Sequence, residues 1–85
     1  MYLHLGQNVV VPTRDIVGIF DLDNSTHSRI TRDFLKNAEL SRKVISVSEE
    51  LPKSFALVTD GGDSFVYVSQ LSSATLLKRS AEFIL

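Results

Sequence analysis

The segment SFALVTDGGDSFVYVS, residues 54–69, contains two runs of strand-forming residues separated by a glycine pair. Residues 54–59 and 64–69 are rich in β-branched and aromatic side chains, which favour strands. The turn between them contains Gly61 and Gly62, which readily adopt the positive φ angles of tight hairpins. This segment therefore predicts a β-hairpin, around which the rest of the chain can be placed.

Four shorter runs outside the hairpin predict further strands. They cover residues 2–5, 9–11, 16–20 and 43–48. Pro12 ends the second run, because proline cannot donate a hydrogen bond to a sheet. Gly18 lies inside the third run, where a glycine indicates a bulge or a close backbone approach.

Two segments have the apolar spacing of helices. The first, residues 25–40, follows polar residues suited to capping and gathers an apolar face from Ile30, Phe34, Leu35 and Ala38. The second opens at the serine pair 72–73 and has an apolar side formed by Leu76, Leu77, Ala81 and Ile84. The sequence thus predicts one α+β domain over residues 1–85, with a small, mostly antiparallel sheet of five to six short strands and two helices.

Composition excludes several classes of protein. The chain has 85 residues, 44% of them hydrophobic and 22% charged, which is typical of a folded domain. It has no cysteine, so disulfide frameworks and thiolate metal sites are excluded. Nine basic and ten acidic residues give a formal charge of -1, which does not by itself point to nucleic acid. A chain this small builds a thin core, which argues against a self-contained enzyme and favours self-association.

Nothing in the sequence predicts a membrane or secretory segment. Residues 1–6 lack the basic and apolar regions of a signal peptide. No apolar run approaches the roughly 20 residues that cross a bilayer. We therefore expect a cytoplasmic protein with no membrane partner.

Motifs for catalysis or metal binding are weak. Asp21 and Asp23 resemble the nucleophile loop of haloacid-dehalogenase-type phosphatases, but that chemistry needs a larger scaffold. Acidic residues before a helix, where its dipole favours negative charge, explain them better. His4 and His27 supply too few ligands for zinc without recruiting carboxylates or a second subunit. The sequence predicts no catalytic residue, no metal and no cofactor, with a small phosphatase as a distant alternative.

Basic residues form a more promising pattern. At about 100° per residue, Arg29, Arg32 and Lys36 fall on the side of the first helix opposite its apolar face. Such a ridge could contact DNA phosphates. Asp33 and Glu39 lie among these residues, so a solvated helix face remains the alternative that composition alone favours.

Several quoted segments together resemble a known family. They are YLHLG (residues 2–6), VVV (9–11), TRDIVGIFD (13–21), PKS (52–54) and LSSATLLKR (71–79). These segments are similar to the RemA/RemB family of bacterial extracellular matrix regulators. The similarity covers nearly the whole chain and is least distinctive over residues 22–50.

The resemblance implies a DNA-binding transcriptional regulator of extracellular matrix (biofilm) genes. RemA-type proteins form rings with outward arginines, so the expected partners are DNA, further copies of the chain and a RemA-type paralogue. Arg14 matches an early arginine of that branch, and Lys53 matches the second of an arginine pair whose first member is Pro52 here. We therefore expect DNA contacts at Arg14 and Lys53, to which the helical pattern adds Arg29 and Arg32.

A second function remains open. The near-neutral charge and the replacement of an arginine by Pro52 are also compatible with an interaction or scaffold module. Lysine holds phosphate as a point charge, without the two-pronged geometry of arginine. Such a module would co-assemble with a related regulator without contacting DNA itself.

Overall fold

The structure, a computed structural model, describes residues 2–22 and 29–81. In chain order its elements are β1 (Tyr2–Gly6), β2 (Val9–Pro12), a 3₁₀ turn (Thr13–Asp15), β3 (Ile16–Asp21), α1 (Arg29–Leu40), β4 (Val44–Ser46), β5 (Ser54–Asp60), β6 (Asp63–Ser69) and α2 (Ser73–Ala81). The predicted α+β class, the two helices and the six short strands are confirmed. The predicted helix start at residues 25–28 lies outside the described residues.

Four strands form the central sheet in the order β3-β5-β6-β4. The β3/β5 and β5/β6 pairs are antiparallel, whereas β4 runs parallel to β6. The predicted hairpin is therefore the middle of the sheet, and Gly61 and Gly62 take positive φ angles of 60° and 92° in its turn. Strands β1 and β2 pair with each other as a separate antiparallel hairpin.

The β1/β2 hairpin and α2 cover one face of the central sheet. The buried side chains of this layer are Leu3, Leu5, Val11, Val47, Ala56, Val58 and Leu76. Alternation places Ala56 and Val58 of β5 on this face, opposite Tyr67 and Phe65 of β6. The main core thus lies between the two sheets and the second helix.

Helix α1 belongs to the other face, where Phe55 and Val66 are buried beneath it. No residue of α1 is itself buried. The side chains that are half-buried are Thr31, Leu35 and Ala38, spaced by four and three residues. The predicted apolar face is therefore correct at Leu35 and Ala38 and wrong at Ile30, which is 81% exposed. The helix is rotated so that Thr31 takes the inward place.

Helix α2 begins with the serine cap that the sequence predicts. The hydroxyl oxygen of Ser72 accepts a hydrogen bond from the backbone N–H of Thr75 at 3.1 Å. Leu76 is fully buried, but Leu77 is half exposed, so its predicted place on the apolar side is wrong. The predicted contribution of Ile84 lies outside the described residues.

Two buried serine hydroxyls join the layers. Ser54 and Ser69 are cross-strand partners on β5 and β6, and both are buried. The Ser69 hydroxyl donates to the carbonyl oxygen of Leu5 at 2.6 Å and accepts from the backbone N–H of Leu71 at 3.0 Å. The Ser54 hydroxyl donates to the carbonyl oxygen of Leu71 at 2.7 Å. These hydrogen bonds join the β1/β2 hairpin and the segment before α2 to the central sheet.

Replacing Ser69 with alanine should destabilise the fold. The substitution leaves the Leu5 carbonyl and the Leu71 N–H without the hydroxyl, which costs about 1–3 kcal/mol for buried groups. Chemical denaturation followed by circular dichroism measures this loss. The control, Ser64→Ala, changes an exposed serine of the same strand and should stay within about 0.5 kcal/mol of the wild type. Equal midpoints for Ser69→Ala and Ser64→Ala would contradict the role of the hydroxyl.

Candidate nucleic-acid interface

Arg14 lies at the centre of the 3₁₀ turn between β2 and β3. The preceding Pro12 has a φ of -62°, and the backbone N–H of Ile16 closes the turn on the carbonyl oxygen of Thr13. The hydroxyl of Thr59, on β5, donates to the carbonyl oxygen of Asp15 at 3.4 Å. Side-chain exposure of Arg14 is 88%. A turn anchored through its backbone thus presents an accessible guanidinium.

Asp15 is the acidic neighbour of this guanidinium. Its Oδ1 lies 3.9 Å from Nε of Arg14, a loose contact in which the arginine stays largely exposed. Exposed pairs of this kind contribute roughly 0–1 kcal/mol. Arg14 is therefore able to exchange this contact for a phosphate.

Lys53 immediately precedes β5 and is exposed. Its backbone N–H donates to the carbonyl oxygen of Ser69 at 2.9 Å, and its carbonyl oxygen accepts from the N–H of Leu22 at 3.1 Å. The residue is thus held from both sides although it belongs to no strand. Its ammonium group is presented from a fixed backbone.

Arg14 and Lys53 lie at opposite ends of β3 and β5. Ile16 pairs with Val58 at one end, and Asp21 pairs with Ser54 at the other. Because the register shifts between Ile16 and Gly18, five residue steps on β3 and four on β5 separate these pairs, a span of about 13–17 Å. The structure does not bring Arg14 and Lys53 together within a protomer.

Arg29 and Arg32 are exposed on the first turns of α1. Nε of Arg29 lies 3.9 Å from Oδ2 of Asp33, one helical turn further along. The same end of α1 shares a cleft with Phe20 and Phe55, near the end of β5 that Lys53 precedes. The ridge and Lys53 therefore lie toward one half of the sheet, whereas Arg14 lies at the other.

An apolar cleft separates α1 from the sheet beneath it. Its volume is about 240 Å³, and it is lined by Phe20, Ile30, Thr31, Phe34, Phe55 and Leu57. Phe20 and Phe55 stack with ring centroids 5.0 Å apart. Phe34 remains 40% exposed. The sequence pattern placed Ile30 and Phe34 on the apolar face of the helix but did not reveal this open surface.

Tyr2 is a neighbour of Arg14 that sequence reasoning missed. The two residues line a cavity of about 90 Å³ together with Pro12 and Thr13. Tyr2 pairs with Pro12 across the hairpin and is 63% exposed. Only the register of the β1/β2 pair shows that Tyr2 lies near Arg14, and this register cannot be predicted from the sequence of either strand alone.

Arg79 of α2 has a structural contact with the hairpin. Its Nη1 donates to the carbonyl oxygen of His4 at 3.3 Å.

Within residues 2–22 and 29–81 there is no cluster of three or more His, Cys, Asp or Glu side chains suited to a metal. Asp23 and His27 lie outside this part of the chain. Among the described residues, neither helix is long and apolar enough to cross a bilayer.

Comparison with known proteins identifies relatives over nearly the full chain. The family model described as RemA-like, extracellular matrix regulatory protein A-like, matches residues 2–79. A relative from Bacillus subtilis (strain 168), named extracellular matrix regulatory protein B, is 44% identical over 80 residues. The alignment covers 94% of this chain and 90% of the relative. The resemblance noted from the sequence is thereby confirmed.

Two substitutions at Lys53 should distinguish the contribution of its backbone to stability from that of its charged side chain. Lys53→Ala keeps both backbone hydrogen bonds and should change the free energy of unfolding by less than about 0.5 kcal/mol. Lys53→Pro removes the N–H that donates to Ser69 and should cost about 1–3 kcal/mol. Denaturant titration of both variants measures the difference. An alanine variant as unstable as the proline variant would show that the side chain itself supports the fold.

Proposed function

Since the chain belongs to the RemA-like family of extracellular matrix regulatory proteins, we propose that it is a DNA-binding transcriptional regulator of matrix genes that acts as a homo-oligomer. The observation that carries the proposal is the exposed guanidinium of Arg14 on a backbone-anchored turn. Lys53 is the second proposed contact, and Arg29 and Arg32 extend the basic surface. The cationic groups act on the phosphate backbone, which supplies most of the affinity in non-specific binding.

Repetition of the protomer reconciles this function with a net charge of -1. One protomer offers two cationic contacts at opposite ends of the β3/β5 pair, which give weak binding by themselves. A ring repeats these contacts, and each contact after the first forms at a high effective concentration. Binding of this kind follows backbone charge and DNA shape more than base identity.

DNA binding should weaken when the proposed cations are removed. Arg14→Ala and Lys53→Ala should each lower affinity for a labelled duplex about three helical turns long. Each lost phosphate contact should reduce the slope of log K against log salt by about 0.9. Fluorescence anisotropy between about 50 and 200 mM salt measures both quantities.

The matched control is Lys43→Ala. Lys43 precedes β4, at the far edge of the sheet from β3, and its Nζ lies 3.4 Å from Oδ1 of Asp63. Its loss removes the same charge from a different surface and should leave the salt slope unchanged. A wild-type protein with no affinity at low salt would overturn the proposed function. Equal slopes for wild type and the Arg14→Ala, Lys53→Ala double variant would overturn the assigned contacts.

We assign self-association to the apolar cleft beside α1, with a second copy of the chain as its occupant. Ile30 is 81% exposed there, and Phe20 and Phe34 border the same cleft. Exposed apolar clusters of this kind are typical of protein interfaces. A second copy carries almost no net charge and meets little electrostatic repulsion. Its docking also supplements a core that is thin in an 85-residue protomer.

Ile30→Asp should shift the protein toward lower mass in solution. The substitution places a charge in the cleft, where desolvation opposes docking of a second copy. Light scattering at micromolar concentration measures the mass of the wild type and the variant. Leu51→Asp is the matched control, because Leu51 is equally exposed at 82% but lies in the segment between β4 and β5.

Two results would count against this assignment. A wild-type protein that is strictly monomeric would remove the homo-oligomer from the proposal. An oligomer that Ile30→Asp leaves intact would assign the interface to another surface. Unfolding midpoints of both variants establish that each remains folded.

A scaffold role without direct DNA contact is the second candidate. One observation favours it, because Arg14 and Lys53 lie at opposite ends of the β3/β5 pair and so do not form a compact pair with each other. In this role the chain would co-assemble with a related family member that binds the DNA. Co-purification with a RemA-type paralogue, combined with no anisotropy change by the isolated protein, would favour the scaffold.

A further inference from the structure

The cavity beside Arg14 has the residues and dimensions of a phosphate site. Its volume of about 90 Å³ is several times the roughly 10–15 Å³ that one water needs by the same measure, so a group the size of one phosphate fits. The walls come from Tyr2, Pro12, Thr13 and Arg14. They combine a phenol and a guanidinium, both of which donate hydrogen bonds to phosphate oxygens in protein–DNA complexes.

Neighbouring residues hold the backbone on both sides of the cavity in place. Tyr2 precedes Leu3, which is fully buried, and Pro12 follows the buried Val11. Tyr2 and Pro12 face each other across the β1/β2 pair. The turn that carries Arg14 is closed by the Ile16 N–H and contacted by Thr59. The backbone that carries Tyr2 and Arg14 is therefore fixed before a ligand arrives, which lowers the entropic cost of binding.

We propose that Tyr2 and Arg14 together bind one backbone phosphate of DNA, the guanidinium supplying the charge and the phenol a neutral hydrogen bond. This inference rests on the proposed function and extends it to a residue outside the basic set. It assigns different roles to the two side chains. Arg14 sets the salt dependence, whereas Tyr2 contributes affinity that salt does not weaken.

Asp15 is the internal competitor for Arg14. Its Oδ1, 3.9 Å from the Arg14 Nε, carries the same sign of charge as the incoming phosphate. Removing this charge should favour the phosphate, because repulsion is lost and the guanidinium no longer has a carboxylate partner. The backbone carbonyl of Asp15 that accepts from Thr59 is kept in an Asp15→Asn variant.

Three substitutions test the proposal by anisotropy with the same labelled duplex. Tyr2→Phe should weaken binding by about two- to tenfold and leave the salt slope unchanged, because a neutral hydrogen bond is lost. Asp15→Asn should tighten binding by about two- to fivefold. Tyr67→Phe, the control at the chain's other tyrosine, removes a hydroxyl from a side chain packed on the core and should leave affinity unchanged.

A second arm tests the cavity without DNA. Inorganic phosphate at millimolar concentration should shift the backbone amide signals of Thr13 and Arg14 in nuclear magnetic resonance spectra. Tyr2→Phe should reduce these shifts, and Tyr67→Phe should not. Unfolding midpoints confirm that each variant is folded.

The outcomes separate this inference from the proposed function. Duplex binding by the wild type that neither Tyr2→Phe nor Asp15→Asn changes overturns the phosphate site and leaves the DNA-binding role standing. Phosphate-induced shifts that depend on Tyr2, without duplex binding, support the site and overturn the DNA-binding role. Absence of both duplex binding and phosphate-induced shifts overturns both.

Discussion

The buried serine pair in the centre of the sheet is the constraint on which the arrangement of layers depends. Ser54 and Ser69 stand opposite each other on β5 and β6, and a buried hydroxyl is costly unless it is hydrogen-bonded. Their partners are backbone atoms of Leu5 and Leu71, which belong to the hairpin and to the segment that leads into α2. The two hydroxyls therefore fix where the covering layer lies on the sheet. Apolar packing alone, being non-directional, would specify this position less exactly.

The position of this layer also determines where the cationic groups lie. The hairpin brings Tyr2 to Pro12 and delivers the chain into the turn that presents Arg14. At the opposite end of the sheet, Lys53 immediately precedes β5. Its backbone hydrogen bonds join it to Leu22 and Ser69. The basic surface is thus distributed over the length of the sheet.

The strands and the fold class could be predicted because they rest on local signals. Alternation and a glycine turn were sufficient for the central hairpin, and a serine cap was sufficient for the start of α2. The inward face of α1 could not be predicted, because Thr31 occupies a place that hydrophobicity assigns to Ile30. Each basic residue could be identified from the sequence, but the distances between them in space depend on strand register. Tyr2 was not recognised, because it lies beside Arg14 only when the β1/β2 hairpin has formed.

The contact between Ser69 and Leu5 joins residues 64 positions apart in the chain. During synthesis at roughly 5–20 residues per second, the hairpin therefore waits about 3–13 s for its serine partner. Leu3, Leu5 and Val11 have no sheet to cover them during this interval. The β1/β2 hairpin is consequently synthesised well before the sheet that it covers.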